Sequence, residues 1–195
     1  LSPWPEEMNR QVTDVFCDFY FAPTEISRQN LLNEGVKADK ILVTGNTVID
    51  ALFYAIQRIK KNKSIQKDLF DLIFKSGYNL KDSINKKREF ILITGHRREN
   101  FGQGFKNICL AIKEIAEQHP EIDLVYPVHL NPNVQEPVYE ILTNLKNVYL
   151  IKTLDYLPFI FLMQNCKLVL SDSGGIQEEA PSLGKPVLVM RNTSE

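Results

Sequence analysis

Hydrophobic positions along the chain follow two alternating rhythms. Short, β-branched, uninterrupted apolar runs recur as "KILVTG" (40–45), "FILITG" (90–95), "DLVYPV" (123–128), "NVYLI" (147–151), "KLVLSD" (167–172) and "PVLVM" (186–190). Between them lie segments of helical period. In "GFKNICLAIKEIAEQ" (104–118), Ile108, Ala111, Ile112 and Ile115 share one face. Strands that are apolar throughout, each followed by a helix, predict a doubly wound α/β fold whose parallel sheet is covered on both faces.

Local signals place several helix ends. Thr47 in "NTVIDAL" is positioned to cap a helix, with Asp50 answering three residues on. Thr24 is positioned to cap the "EISRQNLLN" helix and Gly35 to close it. Residues 62–89 are polar and Lys-rich, and they read as an irregular insertion ahead of the "FILITG" strand. No internal repeat is evident.

Composition narrows the class. A hydrophobic share of 44% in 195 residues suffices for a buried core, and a net charge of -1 gives no reason to expect a nucleic-acid or membrane partner. The basic runs "RIKKNKSIQK" (58–67) and "KDSINKKRE" (81–89) read as solvated helix ends and loop rather than as a binding patch. Cys17, Cys109 and Cys166 are odd in number and lack any zinc spacing, which suits reduced core cysteines of a cytoplasmic protein. There is no apolar run of transmembrane length and no signal peptide. The start at Leu1 and the stop at "RNTSE" read as a fragment of a longer protein.

In an open parallel sheet, ligands bind beyond the carboxyl ends of the strands. There the sequence places "TGHRREN" (94–100), "PVHLNPN" (127–133), "KTLDYLPF" (152–159) and "SDSGG" (171–175). The glycines of "SDSGG" would let backbone approach a pyrophosphate at a helix N-terminus, with the Ser173 hydroxyl as a further donor; a plain tight turn is the alternative. Glu178 and Glu179 suit the helix dipole, and either is also placed to accept ribose hydroxyls. His96, flanked by Arg97 and Arg98, is suited to a phosphoryl oxygen or a proton transfer, or to a structural role. His129 is a weaker candidate, and His119 reads as an exposed helix end. Phe159 could stack on a base, although Leu157, Phe161 and Leu162 beside it equally suggest core packing. Glu6 and Arg10, four apart, read by default as a surface ion pair. No metal site can be assembled, and no cofactor is implied.

Taken together, "SPWPEEMNRQVTD", "FAPTEISRQNLL", "VTGNTVIDAL", "TGHRRENFGQGF", "YPVHLNPNVQEPV" and "SDSGGIQEEAPSLGKPVLVMRNT" closely resemble the non-hydrolysing bacterial UDP-N-acetylglucosamine 2-epimerases. The resemblance covers the whole chain except 62–89. It implies the C-terminal half of a GT-B enzyme: a connecting segment (1–35) and a Rossmann-like UDP-binding domain (36–195). It also implies interconversion of UDP-GlcNAc and UDP-ManNAc by elimination and re-addition of UDP, no cofactor, and a cytoplasmic homodimer. By position, Ser173, Gly174 and Gly175 match the diphosphate turn, Glu179 the ribose acid and Phe159 the aromatic beside uracil. His96, Glu6 and Arg10 match residues implicated in the chemistry; Arg97 and His129 fall where a second, activating substrate could bind. The family's remaining acids belong to the other domain, so this chain alone should bind UDP without turnover. Ser194 replaces a threonine of the family's "RNTTE" run, and Leu154 stands where some relatives carry glutamine. A GT-B glycosyltransferase, a hydrolysing epimerase and a nucleotide-binding module are the competing readings.

Overall fold

The computed structural model describes residues 4–191; Ser194 and the end of the "RNTSE" run lie outside them. The chain divides between Ala51 and Leu52 into two compact units, each described by itself. This division falls later than the 35/36 boundary read from the sequence.

The first unit contains α1 (Glu6–Asp14), β1 (Tyr20–Ala22), α2 (Glu25–Asn33) and β2 (Ile41–Val43). The short run "YFA", which hydrophobic patterning passed over, pairs in parallel with β2, with Tyr20 opposite Ile41 and Ala22 opposite Val43. The "KILVTG" run therefore belongs to a separate two-stranded sheet, and pairing with β1 keeps it in the first unit. Thr24 caps α2 as its sequence predicts, its Oγ1 accepting from Ser27 N at 3.1 Å. Gly35, at φ 91°, ends the helix while Val36 N reaches back to Leu31 O at 3.0 Å. That is a turn for which glycine carries no steric penalty. At the start of α3 (Thr47–Lys61) the cap lies one residue earlier than expected: Asn46 Oδ1, not Thr47, accepts from Val48 N at 3.0 Å.

The second unit is the doubly wound domain. Its strands are β3 (Phe90–Thr94), β4 (Asp123–Pro127), β5 (Val148–Ile151), β6 (Leu168–Ser171) and β7 (Val187–Val189). All are parallel, in the order β5-β4-β3-β6-β7. Side chains of β3 alternate between two cores, as a strand buried on both faces requires. Phe90 and Leu92 enter a cluster that also holds Ile73 of α4 (Lys63–Ser76), Leu162 of α8 (Tyr156–Asn165) and Ala180 of α9 (Gly174–Ser182). Ile91 and Ile93 enter the other, built from α6 (Gln103–Gln118) and α7 (Pro132–Leu142). On α6 the buried stripe is Phe105, Cys109, Ile112 and Ala116. It is rotated from the face read in the sequence, so Ala111 is exposed and Ile108 and Ile115 flank the stripe.

Residues 62–89 are not an irregular insertion. They form α4 and α5 (Leu80–Asn85), and Leu69, Ile73, Tyr78 and Leu80 are core residues. The Lys-rich composition masked an apolar stripe at Ile65, Leu69 and Ile73, one residue per turn. Asn62 starts α4, its Oδ1 accepting from Ser64 N and Ile65 N at 3.0 and 3.2 Å. Asn62→Ala is expected to cost about 1 kcal/mol, read as a lower urea midpoint with an unchanged slope. At the amino end of the sheet, buried Asp123 accepts from Arg88 Nε at 2.6 Å and from the Tyr78 hydroxyl at 3.3 Å. This triad joins the end of α5 to β4.

Cys109 and Cys166 are buried free thiols, both pushed up to about 11 by burial. Cys17 is half-buried rather than a core residue. Among the described residues, no helix is long and apolar enough to cross a membrane.

Candidate functional site

In this strand order the chain starts at β3, builds outward through β4 and β5, then returns to place β6 on the other side of β3. The crossovers leave β3 and β6 in opposite directions, opening a crevice at their carboxyl ends, where doubly wound folds bind ligands. Thr94 lies opposite Ser171 in the register, so the "GHRREN" and "DSGG" loops emerge side by side. These are the loops that the sequence marks for chemistry.

From β6 the chain enters α9 through Ser173, whose side chain makes no cap hydrogen bond and whose amide donates to Ser171 Oγ at 3.0 Å. The first-turn amides of α9 are thereby presented at the end of the crevice, where a helix offers donors and partial positive charge to an anion. A Cβ built on Gly175 would meet nothing within 4 Å. The glycine is not demanded by packing, and the space it leaves can receive a phosphate.

The first turn of α9 carries no acid. Glu178 and Glu179 lie in the second turn, beyond the reach of the dipole effect assigned to them from sequence. Glu178 faces solvent, whereas Glu179 is 8% exposed and makes no hydrogen bond or ion pair with the described residues. Burial, and secondarily the neighbouring Glu178 charge, holds its carboxyl above the usual carboxylate range. Burying a carboxylate without a partner is costly unless something outside the chain supplies one. Tyr156, unmarked in the sequence, lies near enough that the Glu179 charge adds to the burial raising its phenol pKa. Phe159, one turn further along α8, is half-buried against the same core; Leu157 is exposed, while Phe161 and Leu162 are interior.

From β3, Gly95 passes close to the second core. A Cβ there would come within 3.3 Å of both the Tyr126 hydroxyl and the Met190 methyl, and that hydroxyl donates to Gly95 O at 2.9 Å. His96 follows, with its ring stacked on His129 from the β4–α7 loop at a centroid distance of 5.4 Å and 16° between planes. Burial lowers the His96 pKa; Asp172 opposes this, while His129 and Arg97 reinforce it. His129 is exposed and accepts at Nδ1 from Asn131 N at 3.1 Å. His119 lies on the surface, 3.4 Å from Glu121. The structure thus brings His96, Arg97, Ser173, Gly174 and Gly175 to adjacent loops, His129 against His96, and Glu179 one helical turn beyond. Asp172 and Asn100 were missed as participants. A buried acid between an apolar strand and two glycines was the available signal for the first.

Glu6 and Arg10 belong to the first unit. The ion pair expected between them does not form: Arg10 binds Glu7 through two bonds of 2.9 and 2.6 Å, Asp14 at 2.6 Å and Glu34 at 2.8 Å. These acids hold the guanidinium charged and fix its direction. Glu6, on the exposed side of α1, takes no part. Among the described residues, no cluster of three or more His, Cys, Asp or Glu side chains could hold a metal.

The model of the family described as UDP-N-acetylglucosamine 2-epimerase matches residues 1–195. The chain belongs to that family. A UDP-N-acetylglucosamine 2-epimerase of Yersinia pestis is 58% identical over 194 residues, covering 100% of this chain and 50% of the relative. The crystal structure of UDP-GlcNAc 2-epimerase from Neisseria meningitidis bound to UDP-GlcNAc superposes with a TM-score of 0.88 at 50% identity, over 99% of this chain and 50% of that one. The S. aureus MnaA–UDP co-structure matches with a TM-score of 0.81 at 39% identity, over 99% and 47%. The chain therefore spans about half the length of the epimerases it matches.

Proposed function

We propose that this chain is the UDP-binding, C-terminal half of an isomerase that interconverts UDP-GlcNAc and UDP-ManNAc by eliminating and re-adding UDP. The supporting observation is Glu179: a buried carboxylate with no partner among the described residues, one helical turn beyond an open glycine turn. A nucleoside diphosphate answers both features, with phosphates on the Ser173–Gly175 amides and ribose hydroxyls on Glu179. Phe159 lies beside the base. The Neisseria and S. aureus structures, bound to UDP-GlcNAc and UDP respectively, support this choice of ligand.

In this reading His96 serves the phosphates of the departing UDP. Loss of UDP develops negative charge at the diphosphate, which donors fixed before the reaction stabilise without reorganising. Burial keeps the imidazole neutral around pH 7, suiting it to donate a hydrogen bond and to exchange a proton. Glu6 and Arg10 take part in the chemistry, with further acids from the other half of the enzyme. Arg97 and His129 are the candidate contacts for a second, activating UDP-GlcNAc. The working enzyme is a cytoplasmic homodimer.

The test is product analysis of the full-length protein incubated with UDP-GlcNAc, alongside UDP titration of residues 1–195. UDP-ManNAc from the former, and UDP binding without turnover by the latter, are expected. Free ManNAc would indicate a hydrolysing enzyme and a glycosylated acceptor a transferase. Unchanged UDP-GlcNAc would end the epimerase proposal.

A further inference from the structure

Asp172 immediately precedes the anion-binding turn, yet it is fully buried and its carboxylate is directed to the neighbouring loop. Its Oδ2 accepts from His96 N at 3.0 Å, Arg97 N at 2.9 Å and Asn100 Nδ2 at 3.2 Å, and its Oδ1 from His96 N at 3.1 Å. Asn100 Nδ2 also donates to Met190 O at 3.2 Å, while Met190 N bonds to Ser171 O at 2.8 Å. One carboxylate therefore ties together the carboxyl ends of β3 and β6, and Asn100 extends the tie to β7. The His96 Nδ1 lies 3.8 Å from Asp172 Oδ1, near enough to sense its charge but too far for a direct hydrogen bond.

We propose that Asp172 is a positioning residue: its carboxylate clamps the 95–100 loop to the switch point and so sets where the His96 ring stands beside the Ser173–Gly175 turn. This rests on the role given to His96 above. Two consecutive amides are bound by a buried charged acceptor, an arrangement stronger than neutral hydrogen bonds. His96 is the first of those two residues, so its Cα is fixed directly, and stacking on His129 fixes the ring plane. The clamp also consumes the acid's charge on loop donors, which is how a carboxylate can adjoin an anion site without competing with the anion.

Asp172 also acts electrostatically. Burial, His129 and Arg97 disfavour the imidazolium, and the Asp172 charge favours it. Asn at position 172 keeps the volume but removes the charge, and its amide group opposes donors with a donor.

The deciding experiment is a double-mutant cycle in the full-length protein, with Asp172→Asn, His96→Ala and the combination. Asp172→Asn is expected to lower kcat about a hundredfold, the effect of displacing a reacting group by roughly 1 Å, with KM for UDP-GlcNAc within about threefold. Added to His96→Ala, it should cost little more, because the residue through which it acts is gone. Fully multiplicative losses would overturn the proposal. Independently of turnover, histidine NMR on the chain, with the His96 signal assigned by its loss in His96→Ala, should show His96 titrating at lower pH in Asp172→Asn; an unchanged titration would overturn it as well. If Asp172→Asn fails to fold, Asn100→Ala loosens the same clamp while keeping the buried charge. Its kcat loss, about fivefold for one hydrogen bond, must also vanish in the His96→Ala background. A wild-type protein that does not turn over UDP-GlcNAc defeats the epimerase reading, and the NMR arm still decides the clamp.

Discussion

Glu179→Gln will weaken UDP binding to this chain by at least tenfold and, at pH 7, raise the melting temperature of the ligand-free protein. The first effect follows from replacing two anionic acceptors by one neutral acceptor and a donor; hydrogen bonds to charged groups contribute about 1.5–3 kcal/mol. The second follows from the environment that makes the residue useful. Its carboxyl titrates above its ordinary value of 4.5 because burial, then Glu178, disfavours the charge. The folded protein thus holds this proton more tightly than the unfolded chain does. Stability falls as pH rises from near 4.5 through the folded-state value, and the cost is fully present above it. Glutamine removes that cost at pH 7 and has no such advantage at pH 4, where both states are protonated. Calorimetric titration with UDP and melting curves at the two pH values check both halves. Equal affinities, or a variant less stable at pH 7, would contradict the role given to Glu179.

Arg88→Met should destabilise the protein by about 3 kcal/mol, because removing one partner leaves a buried charge uncompensated. Asp123 is 2% exposed, and without Arg88 Nε its carboxylate would retain only the longer Tyr78 contact. Asp123→Asn should cost less, since Arg88 is partly exposed and can turn to water. Replacing both, as Arg88→Met with Asp123→Leu, should recover most of the loss. UDP affinity should be unchanged throughout, because this triad lies at the amino end of β4 and the proposed ligand loops at the carboxyl ends. Urea unfolding supplies the first comparison and calorimetry the second.

The doubly wound sheet was legible because its strands are buried on both faces and read as unbroken apolar runs. The "YFA" strand was not, since three residues in a two-stranded sheet leave too little pattern. Residues 62–89 misled because exposed lysines on and just after α4 and α5 dominate composition, whereas folding responds to Ile65, Leu69 and Ile73. For the site, loop position alone singled out His96, Ser173 and the two glycines. Glu178 and Glu179 are chemically identical, so residue pattern alone did not separate them; the family resemblance singled out Glu179, and α9 turns Glu178 outward and buries Glu179. Of the partners of Arg10, Glu7 and Asp14 lie at helical spacing on α1, but Glu34 was beyond its reach because it comes from the end of α2. Asp172 escaped for a related reason: its partners are backbone amides some 75 residues away in the chain.

Strand order has a further consequence. β3 is paired on both sides, with β4 and with β6. Its amides should be among the slowest in the chain to exchange with deuterium, since core strands open only near the global unfolding free energy. The loop carrying His96 is therefore anchored to the central strand of the sheet. Ligand binding there would order little that folding had not already ordered, and more of the contact energy would remain for affinity.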